Sequence, residues 1–222
     1  GGLLGLEAAG GLAELGAESS IVHSGKWLMS AQLDEGAGTS LGRLIGARGI
    51  TMHLGVRPQA IRATRGAVTG VELTDGRVLD ADLIVFAIGI AARDEVAAAA
   101  GIAVAPRGGI VVDEACRSSD PRVWAVGEVA HVHGRCVGLV APANAMAEVV
   151  ADRLLGGDAA FTTIDDATKL KLAGVEVASF GDAFARADSA LEVVYADPAR
   201  GLYQKVVVSD DADGARGLAT EE

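Results

Sequence analysis

The chain opens Gly1-Gly2-Leu3-Leu4-Gly5 and runs straight into Leu6, Ala8, Ala9, Leu12, Ala13 and Leu15. The apolar spacing predicts a helix over 3–15, stopped by Gly16 at the C′ position. Glycines at the threshold of such a helix mark a backbone that turns tightly and comes close to a neighbour. The first N–H groups of a helix have no acceptor of their own, and the dipole is positive at that end, so together they hold an anion. Residues 2–5 then fill the last four positions of Gly-x-Gly-x-x-Gly, with Gly1 as the variable second position. In that pattern Gly2 lets the backbone approach a pyrophosphate and Gly5 lets the helix lie close to its strand. The first glycine of the pattern is expected just upstream, so the chain reads as a fragment.

The next elements set the class. A short buried strand is predicted over 20–23 and a second helix over 34–48, with Leu33, Ala37, Leu41, Leu44 and Ile45 at helical spacing and Gly49 after it. A strand over 50–54 completes helix, strand, helix, strand, the order of a parallel α/β sheet. The dinucleotide pattern puts an acid about 20 residues beyond its glycines, at the end of the second strand, for the ribose hydroxyls. That position here is His23, followed by Ser24 and Lys26. A neutral or cationic group there tolerates a 2′-phosphate and leaves NADPH open beside NADH. Glu7 is an acid inside the first turns of an otherwise almost wholly apolar helix. It is either exposed in the first turn or hydrogen-bonded, since a bare buried carboxylate is costly.

Farther along, 67–73 and 77–79 flank Thr74-Asp75-Gly76, a hairpin signal. Leu83-Ile84-Val85-Phe86-Ala87 reads as a buried strand ending at Ile88-Gly89. A helix over 91–100, strands over 110–112 and 123–126, and a helix from Pro142 to Leu155 come next, with Gly156-Gly157 closing the last. A domain boundary is expected near 157–166. Beyond it, 169–177, 191–195 and 202–208 alternate as antiparallel strands.

Composition removes several functions. Lys plus Arg is 19 against 30 Asp plus Glu, a net charge of −11, and aromatics are 4%. A chain so acidic, with no basic tract and few stacking rings, is a poor nucleic-acid binder. No apolar run reaches the roughly 18–20 residues of a membrane span. Two cysteines, Cys116 and Cys136, make neither a disulfide framework nor a four-thiolate cluster, so a reducing, cytoplasmic setting is expected. His131-Val132-His133-Gly134-Arg135-Cys136 reads as a polar hairpin loop, and no metal set or catalytic side chain is assigned. Asp165-Asp166 and Asp210-Asp211 read as solvated loop acids, and Lys169 and Lys171 as a solvated strand face or, alternatively, as a docking face for a partner domain.

Residues 1–9, Phe-Ala-Ile-Gly-Ile (86–90), Arg-Gly-Gly-Ile-Val-Val (107–112) and Ser-Asp-Pro-Arg-Val-Trp-Ala-Val-Gly-Glu (119–128) resemble the two-dinucleotide flavoprotein oxidoreductases. Gly-Leu-Val-Ala-Pro (138–142), Thr-Lys-Leu-Lys-Leu-Ala-Gly-Val-Glu-Val (168–177) and Gly181-Asp182 narrow this. The set is similar to the flavin-containing electron-input region of the NAD(P)H-dependent nitrite reductase large subunit, from Gly1 to about Asp210.

The resemblance implies an α/β fold: a parallel-sheet, Rossmann-like NAD(P)H-binding domain over 1–84 lacking its first strand, a returning FAD-binding segment over 85–157, and the start of a small α+β domain over 158–222. It implies NAD(P)H and FAD as cofactors, with Gly2, Leu3, Leu4, Gly5, Glu7, His23 and Lys26 on the nicotinamide dinucleotide. Gly89 would face the bound dinucleotide, Gly127 and Glu128 the FAD ribityl or pyrophosphate, and Leu139, Val140 and Ala141 the flavin ring. A helix dipole starting there would stabilise the negative charge of a reduced flavin. Sirohaem and an iron–sulfur cluster belong to the family's downstream part, so the expected partner is a downstream redox domain or a small electron-transfer protein. The alternatives are a rubredoxin or ferredoxin reductase of the same fold, and a truncated fragment without activity.

Overall fold

The computed structural model describes residues 1–162, 167–172, 174–185 and 190–208. In chain order it forms α1 (Leu3–Glu14), β1 (Ser20–His23), α2 (Glu35–Gly46), β2 (Thr51–Leu54), β3 (Pro58–Thr64), β4 (Ala67–Leu73) and β5 (Val78–Asp80). Then come α3 (Glu95–Ala99), β6 (Ile110–Val111), a 3-10 turn (Gly127–Val129), β7 (Ala130–Val132), β8 (Arg135–Cys136) and α4 (Val140–Leu154). Two hairpins complete the order, β9 (Thr168–Leu172) with β10 (Val175–Ser179) and β11 (Leu191–Asp197) with β12 (Leu202–Val208). The chain divides into two units, Gly1–Ile88 with Ala167–Glu222, and Gly89–Asp166.

In the first unit β1 and β2 pair in parallel, from Ser20↔Thr51 to His23↔Leu54, with α2 as the connection between them. This is the α/β arrangement the helix–strand alternation predicts. Leu6 and Ala9 of α1, Ile21 of β1, and Leu41 and Ile45 of α2 share one core with Leu28, Met29, Leu33 and Ile50. Each large side chain buried there stabilises the fold by roughly 1.5–3 kcal/mol. Leu170, Leu172 and Val175 of the β9–β10 hairpin belong to the same core. Strands β3, β4 and β5 form a separate antiparallel meander, with the Asp75-Gly76 turn between the last two.

In the second unit β6 runs parallel to β7, and β7 pairs antiparallel with β8 across His133 and Gly134, both at positive φ. That is a two-residue hairpin turn built on the polar 131–136 stretch. Val112, Cys116, Ala125, Ala130, Val132, Met146, Val149 and Phe161 form its core.

Several expectations change. The apolar run 83–87 joins no ladder among the described residues, and Leu83, Val85 and Phe86 are exposed. Apolar character does not make a strand where no neighbour takes its N–H and C=O groups. The helix expected over 91–100 shrinks to Glu95–Ala99. Its N-cap, Asp94, sends its carboxylate to the Gly109 N–H at 2.6 Å instead of capping α3. The strand over 123–126 is reduced to one bridge, Arg117↔Trp124. Helix α4 starts two residues before Pro142, which still lies in the first turn where its missing N–H goes unused. The run 169–177 splits into two strands at a turn with Gly174 at φ +65°. Strand β3 has no counterpart in the sequence reading: all seven of its residues are exposed, so no alternation betrays it. Asp165, Asp166, Asp210 and Asp211 lie outside the described residues.

Candidate functional site

In the first unit the start of α1 lies beside the last residue of β1. A Cβ on Gly1 would overlap the His23 ring, and the Gly1 carbonyl accepts from the Met29 N–H at 2.8 Å. Gly2 is the N-cap of α1, in extended conformation with no side-chain cap, and the first turn carries no acid. A Cβ on Gly2 would meet nothing within 4 Å. The N–H groups of Leu3, Leu4 and Gly5 therefore have neither an intrahelical acceptor nor a capping side chain. Gly5 packs on Ala87, where a Cβ would sit 3.4 Å from the alanine Cβ. That is an ordinary contact, so Gly5 eases this approach without being required by it.

His23 lies against Gly1 and Gly25. Burial lowers its pKa below the ordinary value, and a backbone hydrogen bond at Trp27 opposes this. The imidazole is therefore neutral at pH 7. Its Nε2 is buried with no hydrogen-bond partner. An orphaned polar atom of this kind costs about 1–3 kcal/mol, and a ligand hydroxyl reaching it removes that cost. Ser24 and Lys26 are exposed nearby in the chain. An uncapped helix start, an open N-cap glycine and an unpartnered imidazole at the strand end fit a dinucleotide, with its diphosphate at the helix and its ribose at His23. The Glu7 Oε1 accepts the Lys171 backbone N–H at 2.9 Å.

In the second unit, Gly127 takes φ +75°, and a Cβ on it would lie 3.6 Å from Ala143 in α4. Its N–H donates to the Met146 thioether at 3.3 Å. Glu128 is exposed in the 3-10 turn. Helix α4 starts from an extended N-cap, Leu139, with no side-chain cap and no acid in its first turn, and Val140 is 75% exposed. Ile90 packs on Gly138, so Gly89 is carried toward the same end of α4. The structure thus gathers Gly89, Gly127, Glu128, Leu139, Val140 and Ala141 around a second uncapped helix start, which suits the electron-rich edge of a flavin.

The two cysteines are free thiols. Burial pushes the Cys136 pKa up, and Asp94 and Glu128 push it further; burial and Asp113 do the same at Cys116. Both stay protonated at neutral pH, so neither is a thiolate nucleophile. Sequence reading misses the cluster around Asp34, whose carboxylate accepts from Ala37 N–H (2.9 Å), Tyr203 Oη (2.9 Å) and Lys205 Nζ (3.1 Å). The sequence places Asp34 at the start of the predicted helix, but its partners lie 169 and 171 residues away in the chain.

The sequence profile of the pyridine nucleotide-disulphide oxidoreductase family matches residues 1–149. The chain is 42% identical over 212 residues to the nitrite reductase (NADH) large subunit of Escherichia coli (strain K12), covering 95% of this chain and 25% of that protein. It is 40% identical over 218 residues to the nitrite reductase [NAD(P)H] large subunit of Klebsiella oxytoca, covering 98% and 23%. It therefore spans about a quarter of the length of these curated relatives. The resemblance carried by residues 1–9, 86–90, 107–112, 119–128, 138–142 and 168–177 is upheld by these matches. Among solved structures, the ferredoxin reductase for the CYP199A2 system from Rhodopseudomonas palustris aligns with a TM-score of 0.82 at 28% identity, over 94% of this chain and 52% of that one. On its sequence profile, which covers most of its length, the chain belongs to the pyridine nucleotide-disulphide oxidoreductase family.

Proposed function

We propose that the chain is the electron-input part of an FAD-dependent NAD(P)H oxidoreductase of the nitrite reductase large-subunit type, acting in nitrate and nitrite assimilation. The observation that carries this is the uncapped start of α1 beside the orphaned His23 imidazole, in a parallel β–α–β setting. Residues 1–84 then bind NAD(P)H, 85–157 contribute to an FAD site, and 158–222 begin a further domain. When bound, the nicotinamide supplies a hydride and the flavin passes its electrons on one at a time.

The chain's own residues bind and orient. The N–H groups of Leu3, Leu4 and Gly5 take the diphosphate, helped by the dipole of α1. Gly2 leaves room for it. Neutral His23 meets a ribose hydroxyl, and the Lys26 ammonium is available to a 2′-phosphate. At the other site, Leu139, Val140 and Ala141 present the start of α4, with Gly127 and Glu128 alongside. Holding two reactants in a reactive geometry is the main contribution such residues make.

In this reading the acceptor is a downstream redox centre, for which the family resemblance implies sirohaem and an iron–sulfur cluster. Two cysteines here do not make a four-thiolate site. No described helix is long and apolar enough to cross a membrane. With both thiols free, we place the protein in the cytoplasm.

The test is titration of the purified chain with NADH, NADPH and FAD, followed by tryptophan and flavin fluorescence. Saturable binding of a nicotinamide dinucleotide, competed by the other, is the expected result. No binding up to about 5 mM, weaker than about −3 kcal/mol, overturns the reading. Electron delivery to ferredoxin or rubredoxin in preference to a nitrite-reducing partner would favour the ferredoxin reductase alternative.

A further inference from the structure

Helix α1 has two ends with different neighbours. Its start is the proposed dinucleotide site, and its flank lies on the β9–β10 hairpin, more than 150 residues away in sequence. Three observations describe that contact. Leu6 and Ala9 share a core with Leu170, Leu172 and Val175. Gly10, one turn after Leu6, lies so close to β9 that a Cβ on it would overlap Leu172 Cδ1. Glu7, between them, accepts the Lys171 N–H at 2.9 Å through Oε1. Strand β9 pairs only with β10 among the described residues, so this N–H belongs to its free edge. An unpaired edge donor is satisfied by water, by another strand or by a side chain. Here a carboxylate takes it, and a hydrogen bond with a charged partner is roughly twice as strong as a neutral one.

The close approach of Gly10 to Leu172 sets the register of the hairpin on α1 at one point. The hydrogen bond from the Lys171 N–H to Glu7 sets it at a second, nearer the helix start. We infer that Glu7 is a positioning residue: it locks α1 to the edge of β9, and so fixes where the first-turn N–H groups of Leu3, Leu4 and Gly5 stand. The inference rests on the dinucleotide reading of that helix start. It adds this contact to the place on the nicotinamide dinucleotide that the sequence resemblance gives Glu7. The Lys171 side chain is not involved, since the contact is to its backbone and the residue is exposed.

The test uses the full 222-residue chain and two independent ways of removing the bond. Glu7→Ala removes the acceptor. Lys171→Pro removes the donor, at an edge position where proline is tolerated because the N–H faces away from the ladder. Glu7→Gln keeps an acceptor oxygen and drops the charge. We expect Glu7→Ala to speed exchange of the Lys171 amide hydrogen by about tenfold and to weaken NADH binding by about fivefold, as for loss of one such bond. Glu7→Gln should restore about half of both. Lys171→Pro should weaken NADH binding to the same extent, and the double variant Glu7→Ala/Lys171→Pro no further.

Additive losses in the double variant, an unchanged Lys171 amide in Glu7→Ala, or a Glu7→Gln variant as weak as Glu7→Ala would each overturn the assignment. The last outcome would mean that the charge meets the ligand directly. A wild-type chain that binds no nicotinamide dinucleotide is a different failure: it removes the site itself, together with the role given to Glu7 there. Lys171 amide exchange in the variants still reports whether the bond exists.

Discussion

Helices α1 and α2 are each twelve residues long and flank the same parallel strand pair, yet they begin in opposite ways. Helix α2 starts at Asp34, whose Oδ1 accepts the Ala37 N–H, and Glu35 adds an acid to its first turn. Its positive end is thus answered from within the chain. Helix α1 starts at Gly2 with no capping side chain and no acid in the first turn. A side-chain cap is worth about 1 kcal/mol, so leaving one helix bare forgoes stability that its neighbour has. The difference separates a helix whose positive end is answered within the chain from one whose first N–H groups stay open to the anion of the proposed dinucleotide.

The sharpest way to break this contrast is to give α1 the start that α2 has. Gly2→Asp fits: the residue is already extended, and its Cβ would meet nothing within 4 Å. An aspartate there caps the helix and places a carboxylate where the diphosphate would lie. We expect the variant to melt at or slightly above wild type, by a few tenths of a kcal/mol. Its NADH affinity should fall by about fiftyfold or more, through charge repulsion and occupied N–H groups. Thermal melts and fluorescence titration read the two effects separately. A stabilised variant that binds as before would remove α1 from the site.

The converse change is Asp34→Ala, which should cost about 2 kcal/mol, since it strips the cap and leaves Tyr203 and Lys205 without their shared acceptor. Burial raises the Asp34 pKa, but the Ala37, Tyr203 and Lys205 hydrogen bonds and the Lys205 charge outweigh it, so the pKa lies below the ordinary value. A depressed carboxylate stabilises the fold above its unfolded pKa, and the effect fades as pH falls through the folded value. Urea melts should show the wild-type advantage constant from pH 5 to 7 and shrinking below about pH 4. Tyr203 has the opposite sign. Burial and the Asp34 carboxylate push it up to about 12. Its contribution holds below the ordinary tyrosine value and fades as pH rises toward 12. In Asp34→Ala the phenol should ionise earlier, seen as absorbance near 295 nm.

The same contrast shows what a single sequence reveals. The glycine stops at Gly16 and Gly49 and the alternation of helix and strand are local, and each was legible because a few neighbouring residues determine it. The glycines of the α1 start and the histidine at the end of β1 were legible for the same reason. What escaped depends on distant pairing. The run 83–87 has the composition of a buried strand but no ladder partner among the described residues. Strand β3 has a partner but no pattern, because all its residues are exposed. Glu7 was visible as an odd acid in an apolar helix. That its partner is a backbone N–H 164 residues away could not be read from side-chain chemistry.

A smaller test concerns the second uncapped helix, α4. Gly127 holds φ +75° with its Cα toward Ala143, where a Cβ would sit in ordinary contact at 3.6 Å. Gly127→Ala therefore meets strain in the backbone and not a clash, and should cost about 1 kcal/mol. A larger loss would mean that the turn packs more tightly than its geometry indicates. If FAD binds here, the variant should also bind it less well, while NADH binding to the first unit stays near wild type. Equal loss of both ligands would show that stability, not the site, had changed.

The smallest expected effect is at His23. The imidazole is neutral at pH 7 and lies beside glycines at positions 1 and 25, so the strand end carries no negative charge toward a ribose. A carboxylate at this point accepts from both ribose hydroxyls and repels a 2′-phosphate. His23→Glu should therefore raise the ratio of NADH to NADPH affinity by about fivefold, a modest shift because the site is partly exposed and screened. Lys26→Ala should move the same ratio in the same direction by removing a cation, and the two changes should approach additivity, since one adds repulsion and the other removes attraction. An unchanged ratio in both variants would place the ribose away from the end of β1, even if Gly2→Asp still abolishes binding. The diphosphate would then enter α1 from the opposite side, with the adenosine turned away from His23.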